Sequence, residues 1–207
     1  MLKFFLLGIV GFLISGCAIG NTHRYDLGDA ALVAESDKRV AVCVADQRPY
    51  VLSGEKPESF VGLMRGGFGN PFDINTTSGG LLASDITTSI VKALKAKRIS
   101  AVPVDLPPKT GADKAREILL KAEADRFVLM VLNEWKTDTY FNTGLRHDIT
   151  LKVLTKDGSQ LVEKKLGGDE NLGSVTLPAD VRVKAETAIR QKLETLFNDR
   201  AVVSALK

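Results

Sequence analysis

Six consecutive apolar residues, Phe127-Val128-Leu129-Met130-Val131-Leu132, stand between Arg126 and Asn133. Side chains alternate between the two faces of a strand, so a stretch apolar at every position belongs in the interior of a sheet. Residues 40–45 repeat the pattern. Val40, Val42 and Val44 share one face, and Ala41, Cys43 and Ala45 the other. That second interior strand ends at Asp46-Gln47-Arg48-Pro49, where the proline has no N–H to offer a ladder.

The remaining periodicities supply the partners. Leu82, Ile86, Ile90 and Leu94 recur every four residues and make one apolar stripe on a helix over 81–97, with Ser78 a candidate N-cap. A short strand over 100–104 closes at Pro107-Pro108. A second helix over 111–124 gathers Ala115, Ile118, Leu119 and Ala122 on one side. Within 145–155, Ile149, Leu151 and Val153 point inward, and Asp157-Gly158 is a two-residue hairpin signal that returns the chain through 160–166. Pro178 then opens a long last helix, with Val181, Ala185, Ile189, Leu193 and Leu196 toward the core. The order β-α-β-α-β-β-β-α predicts an α/β (α+β) domain, a two-layer sandwich whose mixed sheet has about five strands. Its first crossover is right-handed and parallel, and its last three strands are an antiparallel meander. Residues 49–80, carrying seven glycines and two internal prolines beyond Pro49, read as one long loop.

The amino terminus sets the address. Met1-Leu2-Lys3 is a short positive segment, and residues 4–14 are an apolar run too short to span a bilayer stably. Ile14-Ser15-Gly16-Cys17 follows at once and resembles the lipobox of bacterial lipoproteins. That resemblance implies removal of residues 1–16, cleavage between Gly16 and Cys17, and an N-acyl diacylglycerol modification of Cys17. Ala18 in place of an aspartate favours the outer membrane, with the domain facing the periplasm. Residues 17–38 are then a lipidated cysteine and a flexible tether of about 25 Å, and 39–207 a single globular domain. Removing 16 of 207 residues leaves 191, enough for one domain with a real core. The formal charge of +3 becomes +2 without Lys3, and gives no argument for nucleic acid.

The lipobox, the strand ending in Asp46-Gln47-Arg48, the helix 81–97, the meander 125–166 and the closing helix together resemble the YajG-type bacterial lipoproteins. The resemblance implies an envelope lipoprotein of small α/β fold, without an assigned activity. The glycine-rich segment 49–80 departs from that family.

Candidates for chemistry are few. His23 and His147 stand in no metal-ligand spacing, and Cys43 has no basic neighbour to activate its thiol. No G-x-S-x-G elbow occurs, and Arg65-Gly66-Gly67-Phe68-Gly69 matches no complete phosphate-binding loop. The expectation is therefore a protein that is not an enzyme and carries no cofactor or metal beyond its lipid. Phe60, Met64, Phe68 and Phe72 recur at four-residue spacing near Arg48 and Arg65. Aromatics, Met and Arg are enriched in interfaces, so Arg48, Arg65, Phe68 and Phe72 are the candidate contacts with an envelope protein partner. The opposing expectation is that the phenylalanines of this loop seal the core. A second class of function is glycan or small-ligand binding through Trp135, Tyr140 and Phe141.

Overall fold

The computed structural model describes residues 22–25 and 30–207. Gly16, Cys17 and the signal segment lie outside the described residues. Among the described residues, eight strands and five helices follow in order. They are β1 (Thr22–His23), β2 (Val40–Asp46), α1 (Pro49–Leu52), β3 (Phe60–Arg65), β4 (Pro71–Thr76), α2 (Leu82–Ala96) and β5 (Ala101–Pro103). They continue as α3 (Ala112–Leu119), β6 (Arg126–Thr139), β7 (Asn142–Thr155), β8 (Gln160–Ser174), α4 (Pro178–Phe197) and α5 (Arg200–Leu206).

The long strand β6 organises everything else. One of its edges pairs along nearly its whole length with β7, which pairs in turn with β8, all antiparallel. The other edge is shared. Its first half, Arg126 to Leu132, runs parallel to β2, and β2 carries β5. Its last residues, Thr137 to Thr139, run parallel to β3, which leads to β4 and β1. A register shift between Leu132 and Glu134 falls where one neighbour gives way to the other. Such irregularities increase local twist, and the sheet curls into an open half-barrel. The expected sheet of about five strands is thus an eight-stranded one.

Both faces of the first half are covered, as the fully apolar runs require. Val40, Val42, Val44, Val128, Met130 and Leu132 meet α2, α4 and α5 in the larger core. Ala41, Cys43, Ala45, Phe127 and Leu129 meet Ala115 and Leu119 of α3 on the opposite face. A two-layer description therefore holds for only part of the domain. Where β2 and β6 run together there are three layers.

The segment 49–80 is not a loop. It holds α1 and the β3–β4 hairpin, in which Phe60, Met64 and Ile74 are buried and Phe72 packs against the core. Glycine hides β3 from a search for strand periodicity, yet β3 needs it. A Cβ on Gly62 would lie 2.0 Å from Thr137 Oγ1 and 2.7 Å from the Thr137 carbonyl oxygen. The expected tether is also structured where it is described. Thr22 and His23 pair with Asn75 and Thr76, Tyr25 and Leu32 are buried, and the Ala31 amide donates to Glu194 at 2.7 Å.

Helix α2 begins at Leu82 rather than after Ser78, whose hydroxyl instead donates to Asp85 at 2.7 Å. A hairpin forms around Asp157-Gly158, with Gly158 at φ +84°, but residues 156–159 separate β7 from β8 where a two-residue turn was expected. Strand β8 runs on beyond the expected 160–166, through Gly167 and Gly168 to Ser174.

An aromatic pole as candidate functional site

Four chain segments converge at one end of the half-barrel. β3 and β6 both end there, at Arg65 and Thr139, because they run parallel with Met64 beside Thr139. β4 and β7 both begin there, each by way of a tight turn. In the first turn the Gly66 amide donates to the Asn70 carbonyl at 2.9 Å and Gly69 takes φ +81°. This geometry pushes Phe68 into solvent, where it is 95% exposed. In the second turn Tyr140 and Phe141 are 42% and 72% exposed, with their rings 4.1 Å apart. The Tyr140 hydroxyl donates to the Gly67 carbonyl at 3.3 Å and links the two turns. The end of β8 joins them through a bond from the Val175 amide to the Phe141 carbonyl, and Leu177 beyond it is 60% exposed.

Directly behind the aromatic rings, Arg65 grips Asp138 with two hydrogen bonds of 2.8 and 2.6 Å. Bidentate guanidinium–carboxylate pairs of this kind are geometrically specific, and this one crosslinks β3 to β6 just below both turns. It also neutralises both charges. The pole is thus a set of exposed aromatic rings standing on a paired ionic base.

Of the residues expected to contact a partner, Phe68 occupies this pole and Arg65 supports it. Phe72 turns toward the core on β4, opposite Met64. Arg48 is fully buried and cannot be a contact residue. Its guanidinium holds Asp46 and donates to the carbonyls of Phe60, Trp135 and Glu58. The supposed aromatic triad also divides. Tyr140 and Phe141 are exposed, but Trp135 is fully buried and donates its indole N–H to the Tyr25 hydroxyl at 2.9 Å. Sequence spacing missed the approach of Phe68 to Tyr140, because strand pairing across some seventy residues leaves no local signal.

The other candidates form no reactive constellation. Cys43 lies on the α3 face, where burial pushes its thiol up to about 12. His147 stands across from Trp135 on the other face, so no Cys–His pair forms. His23 and His147 are both buried, and among the described residues their ring nitrogens have no hydrogen-bond partner. Burial, with Arg182 nearby, holds His23 at about 4, and burial followed by Lys192 lowers His147. Among the described residues no three His, Cys, Asp or Glu side chains cluster as a metal site. A cleft of about 410 Å³ beside β1 is lined by Arg24, Ser78, Asp85 and Lys92 among others, and includes no histidine to act on Ser78.

Neither a family model nor a curated protein matches the sequence. Among solved structures, the DUF330-family protein XCC0632 of Xanthomonas campestris is 14% identical at a TM-score of 0.54, over 89% of this chain and 92% of that one. PelC of Paraburkholderia phytofirmans, described as a dodecamer, is 14% identical over 80% of this chain and 91% of that one, at a TM-score of 0.41. Lipoprotein GNA1162 of Neisseria meningitidis is 10% identical over 75% and 97%, at 0.30. The last two scores are too low to carry an argument. The chain shares its fold with the Xanthomonas protein.

Proposed function

We propose that this chain is a lipid-anchored lipoprotein of the outer membrane, facing the periplasm, and a non-enzymatic binding module in cell-envelope assembly or transport. The YajG resemblance belongs to this reading. The observation that carries it is the aromatic pole. Phe68, Tyr140 and Phe141 are held in solvent by paired turns on a rigid sheet, and a side chain of that kind is kept exposed for contact. The lipobox supplies the location, and no helix among the described residues is long and apolar enough to cross a membrane in its place.

The address is tested by fractionating cells that express Cys17→Ala. The variant is expected to leave the membrane fraction or remain unprocessed. Unchanged processing and fractionation would contradict the anchor. The contact surface is tested with a photo-crosslinking residue at Phe141 in intact cells. A covalent product with a defined envelope component, protein or lipid, is expected at 141 and not at Leu52, an exposed residue of α1. Equal labelling at both positions would contradict the pole as the contact.

A second reading, glycan binding, retains Tyr140 and Phe141 as a stacking surface but has lost Trp135. Thermal-shift screening with peptidoglycan fragments and lipopolysaccharide tests it, since a ligand of the folded state raises stability by mass action.

A further inference from the structure

We propose that the aromatic pole is a second membrane contact, with Phe68 and Phe141 inserted into the interface of the bilayer that holds the Cys17 lipid. The proposal rests on the lipid-anchor reading and adds an orientation to it.

The argument begins with the direction of β1. This strand lies parallel to β4, with Thr22 opposite Asn75 and His23 opposite Thr76. β4 starts at the pole with Pro71 and runs away from it. The chain therefore enters β1 from the pole side. Thr22 lies four strand residues below Pro71, about 13 Å at 3.3 Å per residue. Cys17 precedes Thr22 by five residues, and five residues of any conformation span at most about 17 Å. The lipid attachment point can thus reach the level of the pole. The opposite end cannot be reached. Phe60 faces Asn75 and Gly62 faces Thr137, so Thr22 stands near the level of Trp135. From there to Arg126 is nine residues of β6, about 30 Å.

The chemistry at the pole suits a lipid interface. Phe68, Tyr140 and Phe141 are the exposed aromatics among the described residues, and all three are there, with exposed Leu177 two residues beyond the Val175 that bonds Phe141. Aromatic rings with a polar tip, as in tyrosine, concentrate at the headgroup level of membranes. Shallow insertion is costly only where polar groups lose water without compensation. Here the turn amides of Gly66, Gly69 and Tyr140 already have carbonyl partners, and Arg65 and Asp138 cancel each other. A short leash and an apolar pole on the same side make one acyl anchor and one protein contact reinforce each other.

The test uses the full acylated chain in vesicles of phosphatidylethanolamine and phosphatidylglycerol. Phe68→Trp and Phe141→Trp serve as depth reporters, and Leu161→Trp, near the far end of β8, as the reference. The native Trp135 is buried and contributes a constant background. Lipids brominated near the headgroup are expected to quench the reporters at 68 and 141 well above that at 161, with a blue shift on vesicle binding. Equal quenching at all three positions would overturn the proposal, as would protein crosslinks at 68 and 141 without lipid quenching. Mass spectrometry of Cys17 in the same sample reads the anchor independently. If Cys17 proves unmodified, the proposal is decided on the free chain with excess vesicles. Each Phe→Ser change at the pole is expected to weaken partitioning roughly tenfold, and no change would overturn it.

Discussion

Arg48 lies fully buried against Asp46, Nε to Oδ1 at 2.9 Å and Nη2 to Oδ2 at 2.7 Å, at the point where β6 exchanges one neighbour for another. The pair ends β2, while the remaining guanidinium hydrogens reach the carbonyls of Phe60 on β3 and Trp135 on β6. Through two residues the sheet halves are joined. Removing one partner leaves an uncompensated buried charge, which typically costs about 3–5 kcal/mol. Arg48→Ala is therefore expected to lower the melting temperature by roughly 10 °C in a domain of this size. A shift of a degree or two, measured by calorimetry, would assign the pair no structural weight.

The pole and the core should separate cleanly by stability. Phe68→Ser and Phe141→Ser remove exposed rings and are expected to stay within about 0.5 kcal/mol of the parent. Phe60→Ala and Trp135→Ala remove buried ones, and each should cost about 3–5 kcal/mol. Denaturant titration measures all four. Strong destabilisation by Phe68→Ser would return that residue to a sealing role.

Gly62 is expected to accept no side chain. The nearest obstacle to its Cβ includes the backbone of Thr137 as well as its hydroxyl, so trimming Thr137 cannot make room. Gly62→Ala should destabilise by about 1–3 kcal/mol or more, and Gly62→Ala with Thr137→Ala should recover only a part. Full recovery in the double variant would mean that β3 and β6 are free to separate.

His23 makes stability depend on pH. Its folded value of about 4 lies below the ordinary 6.5 because burial, and then Arg182, disfavour the cation. Between those values the unfolded chain binds a proton that the folded chain refuses. Stability is then complete above 6.5 and falls as the pH drops toward 4, by an amount on the order of 3 kcal/mol. His147 shifts in the same direction. Unfolding free energies at pH 7.5 and 4.5 should differ less in His23→Leu than in the parent. An unchanged gap would clear His23 of the effect.

Much of this architecture was written locally. The apolar runs at 40–45 and 127–132 demand cover on both faces, and they receive it from α2 and α4 on one side and α3 on the other. The stripe Leu82, Ile86, Ile90, Leu94 appears as the buried face of α2. Asp157-Gly158 turns as its chemistry requires. What stayed hidden depends on distant partners. Gly62 weakens strand propensity but is required by the close approach of Thr137, and Pro71 sits first in β4, where a missing N–H is tolerated. Residues 30–38 look like a linker in isolation and are held by Glu194, Asn198 and Leu206 from the far end of the chain. The pole is the same case. Arg65 and Phe68 stood out by type, yet only the parallel pairing of β3 with β6 brings them to Asp138, Tyr140 and Phe141.

These contacts also shorten the leash. Against an expected tether of about twenty residues, pairing with Asn75 is already present at Thr22, five positions after Cys17. The account therefore turns on Cys17 itself. The direct measurement is mass spectrometry of the N-terminal tryptic peptide of the membrane-extracted protein, ending at Arg24. The account predicts a peptide that begins at Cys17 and carries a thioether-linked diacylglycerol and an amide-linked acyl chain. A peptide that begins elsewhere, or one with a free thiol at Cys17, would contradict it.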